Sequence, residues 1–309
     1  MKLPDEGAGA RMPTHATVSV VIPAYNAAWC VRRAIDSVLA QTQPCLETLV
    51  VDDGSTDDTP VVLSHYGDRI RVIHKSNGGL SSARNAGILA ARGTMVAFLD
   101  ADDWWLPTKI AAQVGLMESR PEIGFSSVAA RVEDPDGRLL NIWPSPHWEG
   151  SFLEHLFHHP AVVAGSGSGV VARRTWFSKA GLFDESLKSL EDIDMWMRLA
   201  AVTEFACVEE PLVVIVKRAD SMSRNLDVMR QSALQVMTKN RWLLRHDRQG
   251  SYWRAGLASL LADYAKWQHR AGRRGDALAD VARALCIAPL SRGRLCLGLL
   301  LDITLGRSI

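Results

Sequence analysis

Between residues 17 and 105 the chain alternates short apolar runs with stretches of helical spacing, and the runs stop at polar turns. Val18 to Ile22 reads as a strand ended by Pro23. Leu46 to Val51 reads as a second, ended by Asp52-Asp53-Gly54-Ser55. Ile70 to His74 gives a third and Met95 to Leu99 a fourth. Ala27 to Gln41 places Val31, Ile35, Val38 and Leu39 on one helical face. Asp57 and Asp58 suit the first turn of a short helix. Gly79 to Arg92 reads as a helix opened by Gly78-Gly79. Apolar strands alternating with amphipathic helices bury both faces of a sheet. The expected class is α/β: a Rossmann-like, mostly parallel sheet with helices on both faces.

The fourth run ends in Asp100-Ala101-Asp102-Asp103. Ligands of open α/β sheets sit outside the carboxyl ends of the strands. Carboxylates crowded there are costly unless a cation neutralises them. A hard divalent cation on a phosphate takes one or two carboxylates, with phosphate oxygens and water completing its shell. The run fits a Mn²⁺ or Mg²⁺ site for a nucleotide diphosphate. It also fits a plain acidic turn, because Asp favours turns.

Past residue 105 the pattern is mixed. Lys109 to Ser119 is helical, Gly124 to Val132 and Gly169 to Ala172 are strand-like, and Asp134-Pro135-Asp136-Gly137 is a turn. Trp143 to Gly169, rich in Pro, His, Trp, Gly and Ser, reads as a loop region suited to substrate contacts. Asp192 to Ala201 is helical and Phe205 to Lys217 extended. From Leu226 only helical signals remain, over 226–246, 252–271 and 275–288, with breaks at Gly250, Gly272 and Pro289. The expected organisation is a disordered polar tail over 1–15, an α/β domain over 16–225 and a helical appendage over 226–309.

An apolar fraction of 47% and a charged fraction of 22% suit a globular protein. The five cysteines form no CxxC pair, which disfavours a disulfide framework or structural zinc and points to a reducing cytoplasm. Leu295 to Leu305 is too short to span a bilayer. The net charge of +1 hides an asymmetry, with 14 Lys/Arg against 6 Asp/Glu over 226–309. A basic C-terminal third suits a membrane surface, an anionic acceptor or a nucleic acid, and equally a solvated outer helix face.

Taken in order, VSVVIPAYN, LVVDDGSTDDT, NGGLSSARNAG, MVAFLDADDWW and GLFDESLKSLEDIDMWMRLA resemble the inverting glycosyltransferases of family 2, which have the GT-A fold. The resemblance covers about 16–225. It implies that Tyr25 and Asp53 contact the nucleotide base and that Pro23 shapes the loop beside them. It implies that Arg84 contacts base or phosphate, Asp100 the ribose, and Asp102 the Mn²⁺ or Mg²⁺. The "ED" pair points to Asp192 as general base, with Glu191 positioning it and Asp194 and Trp196 packing or lining the acceptor side. On its residues alone the Glu191-Asp192-Ile193-Asp194 cluster is also a plain helix-capping cluster. Lys217 or Arg218, in the segment before a flexible loop, is a candidate for the diphosphate and equally for a solvated edge.

The resemblance further implies a nucleotide-diphosphate sugar donor, UDP favoured, and a glycan or lipid-linked acceptor. It suits peripheral membrane association through the basic C-terminus, a cytoplasmic location at the inner face of the plasma membrane, and no nucleic-acid partner. The processive relatives carry QxxRW. Here Arg241-Trp242 has Thr238 three positions before the Arg, so single-sugar transfer is expected and Trp242 reads as a core anchor. A nucleotidyltransferase would need a Gly-rich basic loop where PAYN stands. Intact Asp102 and Asp192 argue against a non-catalytic nucleotide-sugar-binding scaffold of the same fold. His147, His155, His158 and His159 lack a Cys or carboxylate framework and read as loop or surface histidines rather than zinc ligands. Trp104, Trp105, Trp143 and Trp148 suit either an acceptor cleft or a core.

Overall fold

The computed structural model describes residues 16–218 and 225–307, and the expected tail over 1–15 lies outside the described residues. In chain order the elements are β1 (Val18–Ala24), α1 (Val31–Leu39), β2 (Glu47–Asp52), α2 (Thr59–Ser64), β3 (Arg71–His74), α3 (Leu80–Ala90), β4 (Met95–Phe98) and β5 (Trp104–Trp105). There follow α4 (Lys109–Ser119), β6 (Ile123–Glu133), β7 (Leu139–Trp143), α5 (Phe152–His158), α6 (Ser166–Gly169), β8 (Val171–Arg173) and α7 (Phe177–Ala180). Last come α8 (Glu191–Ala200), β9 (Glu204–Val216), α9 (Leu226–Lys239), α10 (Ser251–Arg270), α11 (Arg274–Ile287) and α12 (Pro289–Leu305). They fall into two compact units interleaved along the chain. Residues up to 147, 161–186 and 198–218 make the first; residues 148–160, 187–197 and 225 onward make the second.

The first unit is built on one sheet in the order β3-β2-β1-β4-β8-β6-β9-β5, with β7 paired to β6. β1 runs parallel to β2 and β4, and β2 parallel to β3. Beyond β4 the sheet is mixed: β8 is antiparallel to β4 and β6, β7 is antiparallel to β6, and β9 is parallel to β6. The helix-connected strands are thus the parallel ones, and the antiparallel β6–β7 pair is joined by the expected tight turn at Asp134–Gly137.

Alternation along the strands sets the two faces. Val20, Ile22, Val50 and Ala97 pack with Val31, Ile35 and Val38 of α1 and Val114 of α4 in one fully or nearly fully buried core. Each such Val or Ile side chain contributes roughly 1.5–3 kcal/mol on burial. The opposite face of β1 presents Val21 to α3, where a Cβ on Gly87 would stand 2.7 Å from a Val21 methyl. Only glycine lets this helix settle so close.

Pro23 does not end the first strand. It lies inside β1, opposite Val51 and buried. Val21 C=O accepts from Leu99 N–H and Ala24 C=O from Asp53 N–H, so alternate residues face β4 and β2. Pro23 faces the β4 side past the end of that ladder, where its missing N–H costs no bond.

In the second unit Ala258, Leu261, Ala262 and Ala265 of α10, Ala277, Val281 and Ala284 of α11, and Cys296, Leu299 and Ile303 of α12 form one core. Five details correct the sequence reading. The helix expected over 226–246 stops at Lys239, followed by short tight turns. Trp242 falls in the first of these turns and is 68% exposed, so it is no core anchor. Pro289 begins a helix rather than breaking one, because the first turn needs no N–H from it. Within the supposed loop, Phe152–His158 is helical, capped by the Ser151 hydroxyl accepting from Glu154 N–H at 3.3 Å. His158 of that helix is half-buried and ring-edge to Tyr252 at 4.4 Å, so it is no simple surface histidine. No described helix is long and apolar enough to cross a membrane.

Candidate functional site

Parallel pairing brings the carboxyl ends of β3, β2, β1 and β4 to one edge of the first unit. The chain steps outward from β1 to β2 to β3 and then returns to place β4 on the other side of β1. That reversal opens a crevice at the ends of β1 and β4, where α/β sheets take their ligands.

At the end of β1, Tyr25 is 52% exposed, its ring available for stacking. Asn26 follows with φ 49°, a left-handed conformation that Asn tolerates. It is pinned to the loop after β2: Asn26 N–H donates to the Ser55 hydroxyl at 3.0 Å, and Asn26 Oδ1 accepts from Thr56 N–H at 2.8 Å.

Asp53, after β2, is 3% exposed, and both of its carboxylate oxygens accept hydrogen bonds. Its Oδ1 accepts from the Lys75 ammonium at 2.5 Å and from Gly78 N–H at 3.0 Å. Its Oδ2 accepts from Gly79 N–H at 2.7 Å. Successive backbone N–H groups of this kind make an anion-binding concavity. Gly79 has φ +86°, which places it in the left-handed region and lets α3 start on the next residue. Asp53 therefore shapes the Asn77-Gly78-Gly79 turn itself. Lys75 escaped the sequence reading, since a single Lys after a strand carries no spacing signal.

One turn into α3, Arg84 is 1% exposed. Its guanidinium donates to Asp100 Oδ1 at 2.7 Å and lies 5.4 Å from the Phe183 ring. Next to it, Asn85 donates to Phe183 C=O at 2.9 Å and accepts from Phe183 N–H at 2.8 Å. The ARN and GLF motifs, distant in sequence, are thus clasped together, and the Phe183 ring stands edge-on to Phe98 of β4.

After β4 the acidic run divides its labour. Asp100 takes Arg84. Asp103 is 6% exposed, accepts from the Ser168 hydroxyl at 2.6 Å and from Val216 N–H at 3.2 Å, and so ties the turn to α6 and β9. The same Ser168 oxygen accepts from Asp100 N–H at 3.1 Å. Burial, and then the charges of Asp102 and Asp100, push the Asp103 carboxyl well above the usual carboxylate range. Asp102 lies between, half-buried. Burial and then the Asp102 charge push the nearby Cys30 thiol up to about 12, whereas Arg218 pulls it down.

This donor set suits a divalent cation delivered with phosphate oxygens. Negative charge is concentrated at the turn, and Asp102 supplies hard oxygen. Among the described residues no three His, Cys, Asp or Glu side chains converge into a cage that would hold a metal without such help.

At the end of β9 the Arg218 guanidinium lies 3.8 Å over the ring of Trp29, which is 59% exposed. Trp29 was likewise missed in the sequence. Residues 219–224, which follow Arg218, lie outside the described residues. Trp104 and Trp105 are buried and serve the core, with Trp105 Nε1 donating to Ser168 C=O at 2.8 Å, whereas Trp143 is 39% exposed.

In the second unit, Glu191, Asp192 and Asp194 occupy the first turn of α8. Carboxylates there complement the helix dipole. Leu190, just before them, has φ 60°, an uncommon conformation for Leu that turns the chain sharply into the helix. Glu191 is 8% exposed and Asp192 half-buried. Asp194 is wholly buried and accepts from Asn240 Nδ2 at 2.8 Å and from Lys239 Nζ at 3.0 Å. Trp196 is 1% exposed and is a core residue.

Comparison with known proteins bears on this arrangement. The family model described as Glycosyl transferase family 2 matches residues 19–180, just over half of the 309-residue chain. An uncharacterized glycosyltransferase of Rickettsia prowazekii (strain Madrid E) is 33% identical over 199 residues, which cover 63% of this chain and 62% of that protein. Chondroitin synthase of Pasteurella multocida (strain Pm70) is 32% identical over 232 residues, covering 72% of this chain and 23% of that protein. The chain thus spans less than two thirds of the length of these relatives. The crystal structure of S. aureus TarS 1–349 matches over 94% of this chain and 92% of that one, with a TM-score of 0.59 and 17% identity. Mannosyltransferase PcManGT from Pyrobaculum calidifontis, in complex with GDP-Man and Mn²⁺, matches over 94% and 81%, with a TM-score of 0.61 and 19% identity. These structural likenesses give the fold as GT-A. By its sequence match and by this fold, the chain belongs to glycosyl transferase family 2.

Proposed function

We propose that this chain moves one sugar from a nucleotide-diphosphate sugar to an acceptor hydroxyl, with inversion at the anomeric carbon. The observation that carries this reading is the convergence of Tyr25, the Asp53-held glycine turn, the Arg84–Asp100 pair and Asp102 at one sheet edge. Tyr25 stacks on the base. Asp53 and the turn it organises contact the base edge, and Asp100, oriented by Arg84, accepts from the ribose hydroxyls. Arg218 donates to the diphosphate. Asp102 would hold Mn²⁺ or Mg²⁺, which when bound would offset the negative charge of the departing diphosphate. PcManGT is in complex with GDP-Man and Mn²⁺, and TarS 1–349 with UDP-GlcNAc, which supports a nucleotide-sugar donor here.

Asp192 takes the proton of the acceptor hydroxyl, and Glu191 orients it. The acceptor oxygen attacks the anomeric carbon from the face opposite the nucleotide, through an oxocarbenium-like transition state. The C–O bond to the diphosphate breaks as the new glycosidic bond forms, and no enzyme nucleophile is used. The acceptor is a surface glycan or glycolipid presented at the inner face of the plasma membrane, and transfer stops after one sugar.

Asp192→Asn tests the base assignment. Transfer is expected to fall about a thousandfold, the scale of general-base catalysis, with nucleotide binding unchanged. Undiminished transfer would remove Asp192 from the chemistry.

A further inference from the structure

We propose that α12 lies in the plane of an anionic bilayer surface, its leucine stripe among the acyl chains and Arg294 on a lipid phosphate. The helix is settled in the second unit by one face only: Cys296, Leu299 and Ile303 point into the helical core. The opposite face carries Leu290, Leu297, Leu301 and Leu305, exposed by 100%, 57%, 53% and 57%. With Arg294 these positions recur at spacings of four, three, four and four along a single helical stripe. Four outward leucines in one stripe are an apolar patch that calls for a partner.

Charge decides which partner. Arg294 stands within the stripe, exposed, and Arg307 follows its end. The helix has one acidic residue, Asp302, which is half-buried with a carboxylate oxygen 3.6 Å from the Arg307 guanidinium. Two copies of this stripe packed on each other would bring Arg294 against apolar or like-charged surface with no exposed α12 carboxylate to neutralise it. Anionic headgroups provide that neutralisation, and a long Arg side chain reaches them while the leucines sit deeper. Residues 226–309 carry 14 Lys/Arg against 6 Asp/Glu, which adds a favourable field. At 17 residues the helix is about 25 Å long and polar at intervals, so it lies on a bilayer and does not cross it.

The proposal deepens the transferase reading only by giving the lipid-linked acceptor a surface to be met on, and its test needs no turnover. The full chain is sedimented with vesicles of phosphatidylcholine alone and of phosphatidylcholine with phosphatidylglycerol at three to one. Binding is expected to the anionic vesicles, weakened by salt, and reduced at least tenfold by Leu297→Glu with Leu301→Glu and several-fold by Arg294→Glu. Leu301→Ser, a milder change on the outward face, serves as a second variant and should give an intermediate loss. Equal binding by the variants, or no preference for anionic vesicles, would overturn the proposal. So would a dimer in solution that the double variant splits, because a second copy would then be the occupant.

Discussion

Arg84 and Asp100 form a buried-to-surface ion pair: the guanidinium side chain is 2% exposed, the carboxylate 31%, and they meet at 2.7 Å. Removing the carboxylate leaves a cation in the core without this counter-charge. Asp100→Ala should therefore lower stability by about 2 kcal/mol, discounted from a fully buried pair for its exposed side, as well as weaken nucleotide binding. Asp102→Asn should weaken metal-dependent binding with little loss of stability. Denaturant titration beside calorimetry separates the two effects.

Asp53 is held by two backbone N–H groups and Lys75, so replacing it should disturb the glycine turn before it disturbs any ligand. Asp53→Asn exchanges an acceptor-only group for one that presents a donor to Gly78 N–H or Gly79 N–H. A stability loss of about 1–3 kcal/mol is expected, from an unsatisfied buried donor. Amide hydrogen exchange at Gly78 to Leu80 should rise. Unchanged exchange there would mean the carboxylate does not organise the turn.

Trp29 should act through Arg218. Trp29→Ala removes the face on which the guanidinium rests, an interaction worth about 0.5–2 kcal/mol. Binding of a nucleoside diphosphate should weaken roughly two- to thirtyfold by that conversion. Binding of the nucleoside alone should hold, and Trp29→Phe should recover most of the loss. Equal weakening of both ligands would mark Trp29 as a general structural residue.

Lys109 offers a pH test of the core. It is wholly buried, its ammonium lies 3.9 Å from the Trp105 ring centre, and Nζ has no hydrogen-bond partner. Burial lowers its pKa from 10.5 to about 7, an effect the nearby Cys45 opposes. Between those values the unfolded chain binds the extra proton, so the stability contribution of this group rises as pH rises from 7 toward 10.5. Lys109→Met should therefore stabilise the protein most below pH 7, by at most about 4–5 kcal/mol, and the gain should shrink toward pH 10. Melting curves of both proteins across that range check it, and a gap independent of pH would contradict it.

The strand ends were legible because each apolar run stopped at its own polar turn, and parallel pairing is what such alternation imposes. Asp100 could be placed at that edge for that reason, whereas Tyr25 and Arg84 were named by the family resemblance. The partnership of Asp53 with Lys75 and the stacking of Arg218 on Trp29 were not legible, since both join residues whose types carry no periodic signal. α12 is not legible in the pattern because Pro289 reads as a breaker, although a first helical turn also accepts proline. α5 was lost to its loop-like surroundings, although Ser151 and Glu154 stand at capping-box spacing. Trp242 went wrong because α9 stops before it, and helix ends are set by tertiary fit more than by propensity.

The central claim is that this sheet edge binds a nucleoside diphosphate together with a divalent cation at Asp102. Calorimetric titration of the chain with UDP, dTDP and GDP, each with and without Mn²⁺, tests it most directly. One of the three should bind with Mn²⁺, and at least about tenfold more weakly without it or in Asp102→Asn. Folded protein that binds none of them, or binds one equally well without Mn²⁺ and without Asp102, would contradict the account.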